Sequence, residues 1–259
     1  MDESVDNRAV PLHSAEALIL SVADLHDRDR IVVFLTRDLG KKRGVAKGAR
    51  TRHSRYAGQL QPLAKVQVTW FAKEGAELAR ISSVELVRAA GKLLEDLDDL
   101  LLGAYLTEHL LEFAQEDEVS EPMFRLLDTT IEALLEGIDR DLAARYFESW
   151  ILRLGGIFPA PRECPQCGED LAVKGATLPR GADSLLCLDC GGRHGLILRS
   201  DTIDFLRRIG RQNLTRAAEE PPAPAVLREV EEICARVRRS FLQRELRSYG
   251  VLEQIRSGR

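Results

Sequence analysis

Val66-Gln67-Val68-Thr69-Trp70 places apolar side chains at every second position. Because successive side chains of a strand point to opposite faces, this stretch predicts a β-strand with one buried side. Short β-branched or aromatic runs of the same kind surround it at residues 17–22, 30–36, 44–49 and 77–86. Five strands in about 75 residues, with turns but no helix between them, favour a five-stranded β-barrel of the oligonucleotide-binding (OB) type.

After residue 87 the alternation gives way to a helical period. Leu93, Leu94, Leu97 and Leu101 recur near a 3.6-residue spacing, with acidic residues on the remaining face. Four later segments repeat this pattern, at residues 121–137, 140–156, 200–211 and 224–250. The sequence therefore predicts a multi-domain α+β protein, an N-terminal OB barrel followed by an α-helical bundle. The expected domains are a flexible tail at 1–14, the barrel at 15–86, the bundle at 87–158 and 199–259, and a zinc-binding insertion at 159–198.

The insertion contains two Cys-x₂-Cys pairs separated by 19 residues: Cys164 and Cys167, then Cys187 and Cys190. Two such knuckles offer four thiolates, which complete a tetrahedral shell around one Zn²⁺ ion. A full shell leaves no open position for substrate, so we predict one structural zinc ion in a ribbon. Gly168 and Gly191 are expected to let the backbone curl around the metal.

Other readings of the cysteines are weaker. A hydrolytic zinc keeps a position for water, and a zinc deaminase needs a His-x-Glu motif that this chain lacks. A redox dithiol needs a single Cys-x-x-Cys in a βαβ setting. His194 could replace one cysteine, although a solvated loop histidine is the simpler interpretation, and Cys234 is most simply a small core residue. We predict no catalytic residue.

Charge is distributed unevenly along the 259 residues, whose formal net charge is −4. Counting Lys and Arg against Asp and Glu gives 14 − 10 = +4 for residues 1–80, 6 − 17 = −11 for residues 81–160 and 17 − 14 = +3 for residues 161–259. No stretch approaches the run of about 18 apolar residues that crosses a bilayer, and the N-terminus is polar. We therefore expect a cytoplasmic protein with no membrane partner.

Residues 40–58 form a basic stretch without a single acidic residue. One sign of charge cannot be neutralised by local pairing, and the glycines at 40, 44, 48 and 58 predict a flexible loop on the barrel. Cations on such a loop can follow a phosphate backbone without reading sequence. Tyr56 fits either base stacking or the core. The predicted DNA-binding residues of the stretch are Lys41, Lys42, Arg43, Lys47, Arg50, Arg52 and Arg55.

The stretch DRDRIVVFLTRDLGKKRGVAKGARTRHSRYAGQLQPL, residues 27–63, resembles the N-terminal signature of the bacterial recombination mediator RecO family. The matching positions are 29–32, Thr36, Gly40, 45–48, Arg50, Ser54 and 60–62. We include Arg30, from the first of these matches, in the predicted DNA-binding set. RecO proteins also follow the barrel with a helical domain that carries a four-cysteine zinc motif.

This resemblance implies a DNA repair protein without enzymatic activity, working at the bacterial nucleoid. Such a protein binds single- and double-stranded DNA and anneals complementary strands. It acts with RecR on DNA coated by single-strand-binding protein and thereby promotes RecA loading, with RecF as a further candidate partner. It is also expected to hold the acidic, apolar C-terminal tail of single-strand-binding protein. We place that tail on the helix from Leu93 and on the cations Arg207, Arg208, Arg211 and Arg216.

A zinc-ribbon transcription or replication accessory protein that binds DNA is the alternative function. It would read base sequence through a recognition helix. The best candidate for that helix lies near the C-terminus and carries Arg236, Arg238, Arg239, Arg244 and Arg247. Zinc-dependent hydrolysis is a third and weaker hypothesis.

Overall fold

The N-terminal barrel is closed and has five strands, as predicted. The structure, a computed structural model, describes residues 11–72 and 77–257. The strands are β1 (Leu12–Leu25), β2 (Asp29–Thr36), β3 (Lys41–Ala46), β4 (Lys65–Phe71) and β5 (Ala79–Arg88). Neighbouring strands follow the order β1-β2-β3-β5-β4, and the ladder between β3 and β5 is parallel while the others are antiparallel.

The alternation that predicted β4 is present in the fold. Val66, Val68 and Trp70 are each at most 1% exposed and point into the barrel. The Trp70 ring packs edge-on against Phe34 of β2, with ring centroids 5.4 Å apart. Burial of aromatic side chains of this size contributes several kcal/mol each, so this pair is a main source of barrel stability.

Helices and a small sheet follow the barrel. A 3₁₀ turn at Gly91–Leu94 comes before the first helix. The remaining elements are α1 (Leu97–Phe113), α2 (Glu121–Leu135), α3 (Arg140–Leu154), α4 (Leu171–Lys174), β6 (Ala176–Leu178), β7 (Leu186–Cys187), α5 (Leu188–Gly191), β8 (Leu196–Leu198), α6 (Ser200–Ile209), α7 (Leu214–Glu219), α8 (Pro224–Leu242) and α9 (Arg247–Ser257). The small sheet has the order β7-β6-β8.

The last predicted helix is in fact two. Gln243 takes the left-handed conformation, with φ of 56°, and ends α8 at Leu242. A left-handed residue is a common helix terminator, and no proline or glycine marks this one in the sequence. The expectation of one continuous helix over 224–250 was therefore wrong.

Contacts between residues divide the chain into two compact units. Among the described residues, the first unit, here called the barrel unit, comprises those up to Gly91 together with Leu110–Phe124. The second, the helical unit, comprises Lys92–His109 and those from Arg125 onward. The end of α1 and the start of α2 thus belong with the barrel. The four predicted domains remain a prediction, and most of the tail at 1–14 lies outside the described residues, while β1 begins at Leu12.

A buried ionic network stabilises the second unit. Arg238 of α8 is fully buried and donates to the Tyr105 hydroxyl, 2.6 Å away, and to Glu245 Oε1, 2.7 Å away. Glu148 of α3 accepts from Tyr105 and from Arg145. A buried arginine with this many partners cannot contact a base, which weakens the hypothesis of a recognition helix at α8.

The fifth cysteine lies in the core of the second unit. Cys234 is fully buried on α8, 3.8 Å from the Ser149 hydroxyl, and is the core residue that its position predicted.

Within residues 11–72 and 77–257, no helix combines the length and the apolar character needed to cross a membrane.

Candidate nucleic-acid interface and metal centre

The predicted DNA-binding cations fall into two structural groups. The first group, the strand cations, consists of Lys41, Lys42 and Arg43. They lie on β3, which begins at the start of the basic stretch and pairs with β2. Lys47, Arg50, Arg52 and Arg55, the loop cations, lie in the connection from β3 to β4. The prediction of one flexible loop over the whole stretch was therefore wrong for its first residues. Gly44 also lies in β3, where a Cβ atom would be 2.9 Å from the Ile81 side chain.

Lys41 is the least accessible strand cation, with 9% exposure. Its ammonium donates to the carbonyl oxygen of Leu111, 2.7 Å away, in the last turn of α1. Carbonyls at a helix C-terminus lack helical partners and carry partial negative charge, so a cation satisfies them well. Burial lowers the pKa of Lys41, while the nearby carboxylates of Glu116 and Glu112 act in the opposite direction. Its burial and its hydrogen bond to Leu111 indicate a structural role for the Lys41 side chain.

The other two strand cations are paired with the turn that connects α1 to α2. Lys42 forms an ion pair with Asp117, and Arg43 lies 3.9 Å from a Glu116 carboxylate oxygen. About half of each Arg43 and Glu116 side chain is exposed, at 46% and 50%. Solvent-exposed pairs of this kind contribute about 0–1 kcal/mol, so another anion can displace them.

The connection from β3 to β4 is a series of tight turns rather than an open loop. Backbone N–H groups of Thr51, Ser54 and Ala57 each donate to the carbonyl three residues earlier. The side chains of the loop cations are all exposed on this compact segment. Tight turns hold charged side chains near fixed positions, which lowers the entropy lost when they bind a phosphate chain.

Tyr56 lies in the barrel core, which is one of the two roles that its sequence position allowed. The ring is 2% exposed, and its hydroxyl donates to the Ile81 carbonyl oxygen, 2.9 Å away. Arg55 lies over the outer edge of this core, with its guanidinium carbon 4.9 Å from the Tyr56 ring centroid. The tyrosine therefore anchors the basic segment to the barrel instead of stacking on a base.

Arg30 and Arg50 converge on Asp24 at the end of β1. Their Nε atoms each lie 3.3 Å from an Asp24 carboxylate oxygen, and Arg50 also donates to the His26 carbonyl oxygen, 2.7 Å away. These contacts tie the basic segment to the β1–β2 turn, one of the regions through which OB barrels bind nucleic acid. Arg28 is exposed in that turn and was missed by the sequence reasoning. Its position between two predicted strands was the available signal.

The four predicted metal ligands come together in the second unit. The Sγ atoms of Cys164, Cys167, Cys187 and Cys190 all lie within 4.8 Å of one another. The Gly168 N–H donates to the Cys164 carbonyl oxygen, 2.8 Å away, which closes the first knuckle, and Gly168 has φ of 75°. In the second knuckle Gly192, with φ of 65°, makes the left-handed turn. Gly191 instead provides room, since a Cβ there would be 2.4 Å from Thr177 Cγ2.

The arrangement fits a tetrahedral metal ion. Zinc–sulfur bonds of about 2.3 Å place neighbouring sulfurs of a tetrahedron about 3.8 Å apart, and Cys167 and Cys187 are 3.6 Å apart. Burial opposes ionisation of the Cys164 thiol, yet backbone N–H groups, led by that of Cys187, hold its pKa at about 6. His194 is exposed and is not part of the cluster of four cysteines. These cysteines could hold one metal ion in a closed site.

A second candidate site is a cavity of about 570 Å³ in the helical unit. Trp150, Phe158 and Leu206 supply apolar surface, while Arg153, Arg207 and Arg211 supply positive charge. Of the four arginines predicted for the tail of single-strand-binding protein, Arg207 and Arg211 line this cavity. The apolar lining residues lie on α3, on α6 and between them, and the helix from Leu93, where the apolar half of the tail site is predicted, is not among the lining elements. The location of the tail site stays a prediction.

Three of the predicted tail-binding arginines already have protein partners. Arg207 donates to Asp170 Oδ1, 2.6 Å away, Arg208 donates to the Glu220 carbonyl oxygen, 2.8 Å away, and Arg216 pairs with Glu219. Arg211 is exposed at the edge of the cavity and makes no side-chain ion pair with the described residues. It is the cation best placed to receive a carboxylate.

Comparison with known proteins agrees with these observations. The model of the N-terminal region of recombination protein O matches residues 11–90, and that of its C-terminal region matches residues 94–250. The chain belongs to the RecO family. DNA repair protein RecO of Geobacter sulfurreducens is 32% identical over 241 residues, 93% of this chain and 97% of that protein. DNA repair protein RecO of an Anaeromyxobacter strain is 30% identical over 240 residues, 92% of this chain and 94% of that protein.

Several residues that carried the resemblance to RecO have structural roles in the barrel. Thr36 donates from its hydroxyl to the Gly40 carbonyl oxygen, 2.8 Å away, and closes the turn between β2 and β3. Asp29 accepts from the Gly48 N–H, 2.8 Å away, at the other end of these strands. Gly40 has φ of 75°, and a Cβ there would be 2.4 Å from the Glu118 carbonyl oxygen. These signature residues thus stabilise the β2–β3 part of the barrel that carries the strand cations.

Proposed function

We propose that this protein is a non-enzymatic recombination mediator in DNA repair that binds single- and double-stranded DNA and anneals complementary strands. In the same proposal it acts with RecR on DNA coated by single-strand-binding protein and promotes RecA loading, with RecF as a further partner. Its place of action is the bacterial nucleoid in the cytoplasm. Membership of the RecO family, whose relatives are named DNA repair proteins, supports this choice.

The exposed loop cations carry the DNA-binding part of the proposal. Lys47, Arg50, Arg52 and Arg55 are presented on tight turns beside the β1–β2 turn of an OB barrel. No acidic residue occurs among residues 40–58, and the acidic partner of the loop cation Arg50 is Asp24, which lies beside it. Contacts of such cations with a phosphate backbone give affinity without base preference, as an annealing protein requires.

Annealing follows from charge neutralisation. Two complementary strands repel each other through their phosphates, and cations that bind both strands lower that repulsion. Base pairing then supplies the free energy of the reaction, since stacking is worth about 1.4 kcal/mol per base-pair step. The protein needs no catalytic group for this step.

The cysteine cluster is proposed to hold one structural Zn²⁺ ion. Four thiolates at tetrahedral separation favour zinc over hard cations, which prefer oxygen ligands. When bound, the ion would crosslink the two knuckles of the segment. Metal binding would therefore supply local folding energy.

The cavity between α3 and α6 is proposed to hold the C-terminal tail of single-strand-binding protein. An acidic, apolar peptide needs an apolar pocket with cations at its edge, and Trp150, Phe158 and Arg211 offer this combination. Trp150 is fixed by a hydrogen bond from its indole N–H to the Ile209 carbonyl oxygen, 3.0 Å away. A preformed wall of this kind reduces the entropic cost of binding.

An annealing assay with two complementary oligonucleotides, one carrying a fluorophore and the other a quencher, tests the proposal. The chain should accelerate quenching on bare strands and on strands coated with single-strand-binding protein. Zinc-free buffer and the absence of nucleotide should not change the rate of freshly purified protein. A protein that binds neither strand, or that binds but never accelerates annealing, is incompatible with the proposed function.

A further inference from the structure

The turn between α1 and α2 forms an extra pairing with the barrel. Glu116 makes an isolated parallel β-bridge with Lys41, and the Asp117 N–H donates to the Lys41 carbonyl oxygen, 3.2 Å away. The parallel ladder of β3 with β5 covers only Gly44 and Val45, so the first half of β3 has an edge for this turn to occupy. Residues Glu116, Asp117 and Glu118, the acidic turn, are therefore held against the strand cations.

Backbone atoms and Lys41, rather than the carboxylates, hold the acidic turn in place. The Lys41 ammonium binds the Leu111 carbonyl oxygen, and Gly40 makes close backbone contact with Glu118. Asp117 takes φ of 61°, a left-handed conformation that Asp and Asn tolerate better than most residues. The Asp117 carboxylate is 77% exposed, so it does not pack to support the turn. The atoms that anchor the acidic turn are thus different from the carboxylate atoms that carry its negative charge.

The exposed carboxylates lie where phosphates of a bound strand are expected. Lys42 and Arg43 lie on β3, one of the two strands through which OB barrels bind nucleic acid. Asp117 and Glu116 occupy these two cations in the DNA-free protein. We propose that the acidic turn is an internal competitor that DNA phosphates must displace from Lys42 and Arg43, so that it lowers affinity for bare DNA. This inference rests on the proposed DNA-binding function.

The competitor can be removed without changing the shape of the turn. The double variant Glu116→Gln, Asp117→Asn is nearly isosteric, and Asn keeps the left-handed backbone available at residue 117. Because the turn is anchored by the backbone and Lys41, the variant should unfold at the same urea concentration as the wild type. Two exposed ion pairs are lost, and surface pairs are individually weak.

Fluorescence anisotropy with a labelled 30-nucleotide oligo(dT), titrated at several salt concentrations, measures the effect. The double variant should bind about threefold to tenfold more tightly than wild type at low salt. The slope of log affinity against log salt should steepen by about 1.4, since two more cations reach phosphates at about 0.7 each for a single strand. A control double variant, Glu85→Gln with Glu136→Gln, removes two exposed acidic charges elsewhere and should change affinity much less.

A double-mutant cycle separates this inference from the proposed function. In a Lys42→Ala, Arg43→Ala background, removing the carboxylates should no longer raise affinity. Equal gains from the control variant, or an equal gain in the alanine background, would overturn the competitor while DNA binding through the loop cations stands. A chain that binds oligo(dT) in none of these forms would overturn DNA binding itself.

Discussion

The Lys41 ammonium donates to the carbonyl oxygen of Leu111, 2.7 Å away, across 70 residues of chain. This bond joins the first residue of β3 to the last turn of α1, within the barrel unit. Lys41, the first cation of the basic stretch, therefore has a structural role that Lys42 and Arg43 do not share.

Replacing Lys41 by Ala should destabilise the barrel unit. The change removes a charge-assisted hydrogen bond and leaves a helix-terminal carbonyl without its partner, which costs about 1–3 kcal/mol. Urea unfolding followed by circular dichroism measures this loss. Lys42→Ala, which removes only an exposed ion pair, should cost less than about 1 kcal/mol. An unchanged unfolding midpoint for Lys41→Ala would show that the residue is not structural.

Simultaneous replacement of Lys47, Arg52 and Arg55 by Ala should weaken DNA binding without loss of stability. Each exposed cation that contacts a phosphate of a single strand contributes about 0.7 to the salt slope, so the slope should fall by about 2. Anisotropy titrations with oligo(dT) over a range of salt concentrations give this slope.

A matched variant tests whether net charge alone explains such a result. Arg180, Arg193 and Arg228 are exposed cations of the helical unit, and their replacement by Ala removes the same charge. The slope should then fall by much less than 2. Equal slopes for the two triple variants would rule out a specific role for the loop cations.

The barrel and the metal cluster were predictable because their signals are local. Trp70 and Val68 lie two residues apart on one strand face, and Cys164 and Cys167 share one tight turn. The burial of Lys41 was not predictable, since no local feature distinguishes it from Lys42 and its partner lies on another element. The left-handed break at Gln243 also escaped detection, because glutamine rarely takes that conformation.

Replacing Cys164 by Ser should lower bound metal and stability together. Removing one thiolate leaves an incomplete tetrahedral shell, and metal affinity is coupled to folding of the ribbon. Atomic emission measures metal content, and thermal unfolding measures stability. The fifth cysteine supplies the control, because Cys234→Ala changes a buried residue outside the cluster and should retain one metal ion per chain. A stable Cys164→Ser chain with full metal content would contradict the proposed site.

The helical unit should be less stable in mild acid than at neutral pH, because His109 is protonated more readily in the unfolded chain than in the folded one. Burial, assisted by the charge of Arg238, lowers the pKa of this histidine to about 3. The unfolded chain gains a proton near pH 6.5 while the folded chain does not, so stability falls as pH drops below 6.5. Between pH 6.5 and 5 this loss is about 2 kcal/mol.

Urea unfolding at a series of pH values gives the contribution of His109. In His109→Gln, whose amide can still donate to the Tyr105 carbonyl oxygen, the fall in stability from pH 6.5 to 5 should shrink by most of that amount. Parallel pH profiles of the variant and the wild type would show that His109 does not titrate between the two states.

A peptide of about nine residues with the acidic, apolar character of the tail of single-strand-binding protein should alter the fluorescence of Trp150. Trp150 and Trp70 are the only tryptophans in the chain, and Trp70 is buried in the barrel, so the change reports on the cavity of the helical unit. Arg211→Glu should weaken binding by at least about fivefold, because it places a like charge where a carboxylate must bind. Arg228→Glu makes the same charge change on an exposed residue outside the cavity and should leave affinity nearly unaltered. Equal losses in the two variants, or tight binding without a change in tryptophan emission, would place the peptide elsewhere on the molecule.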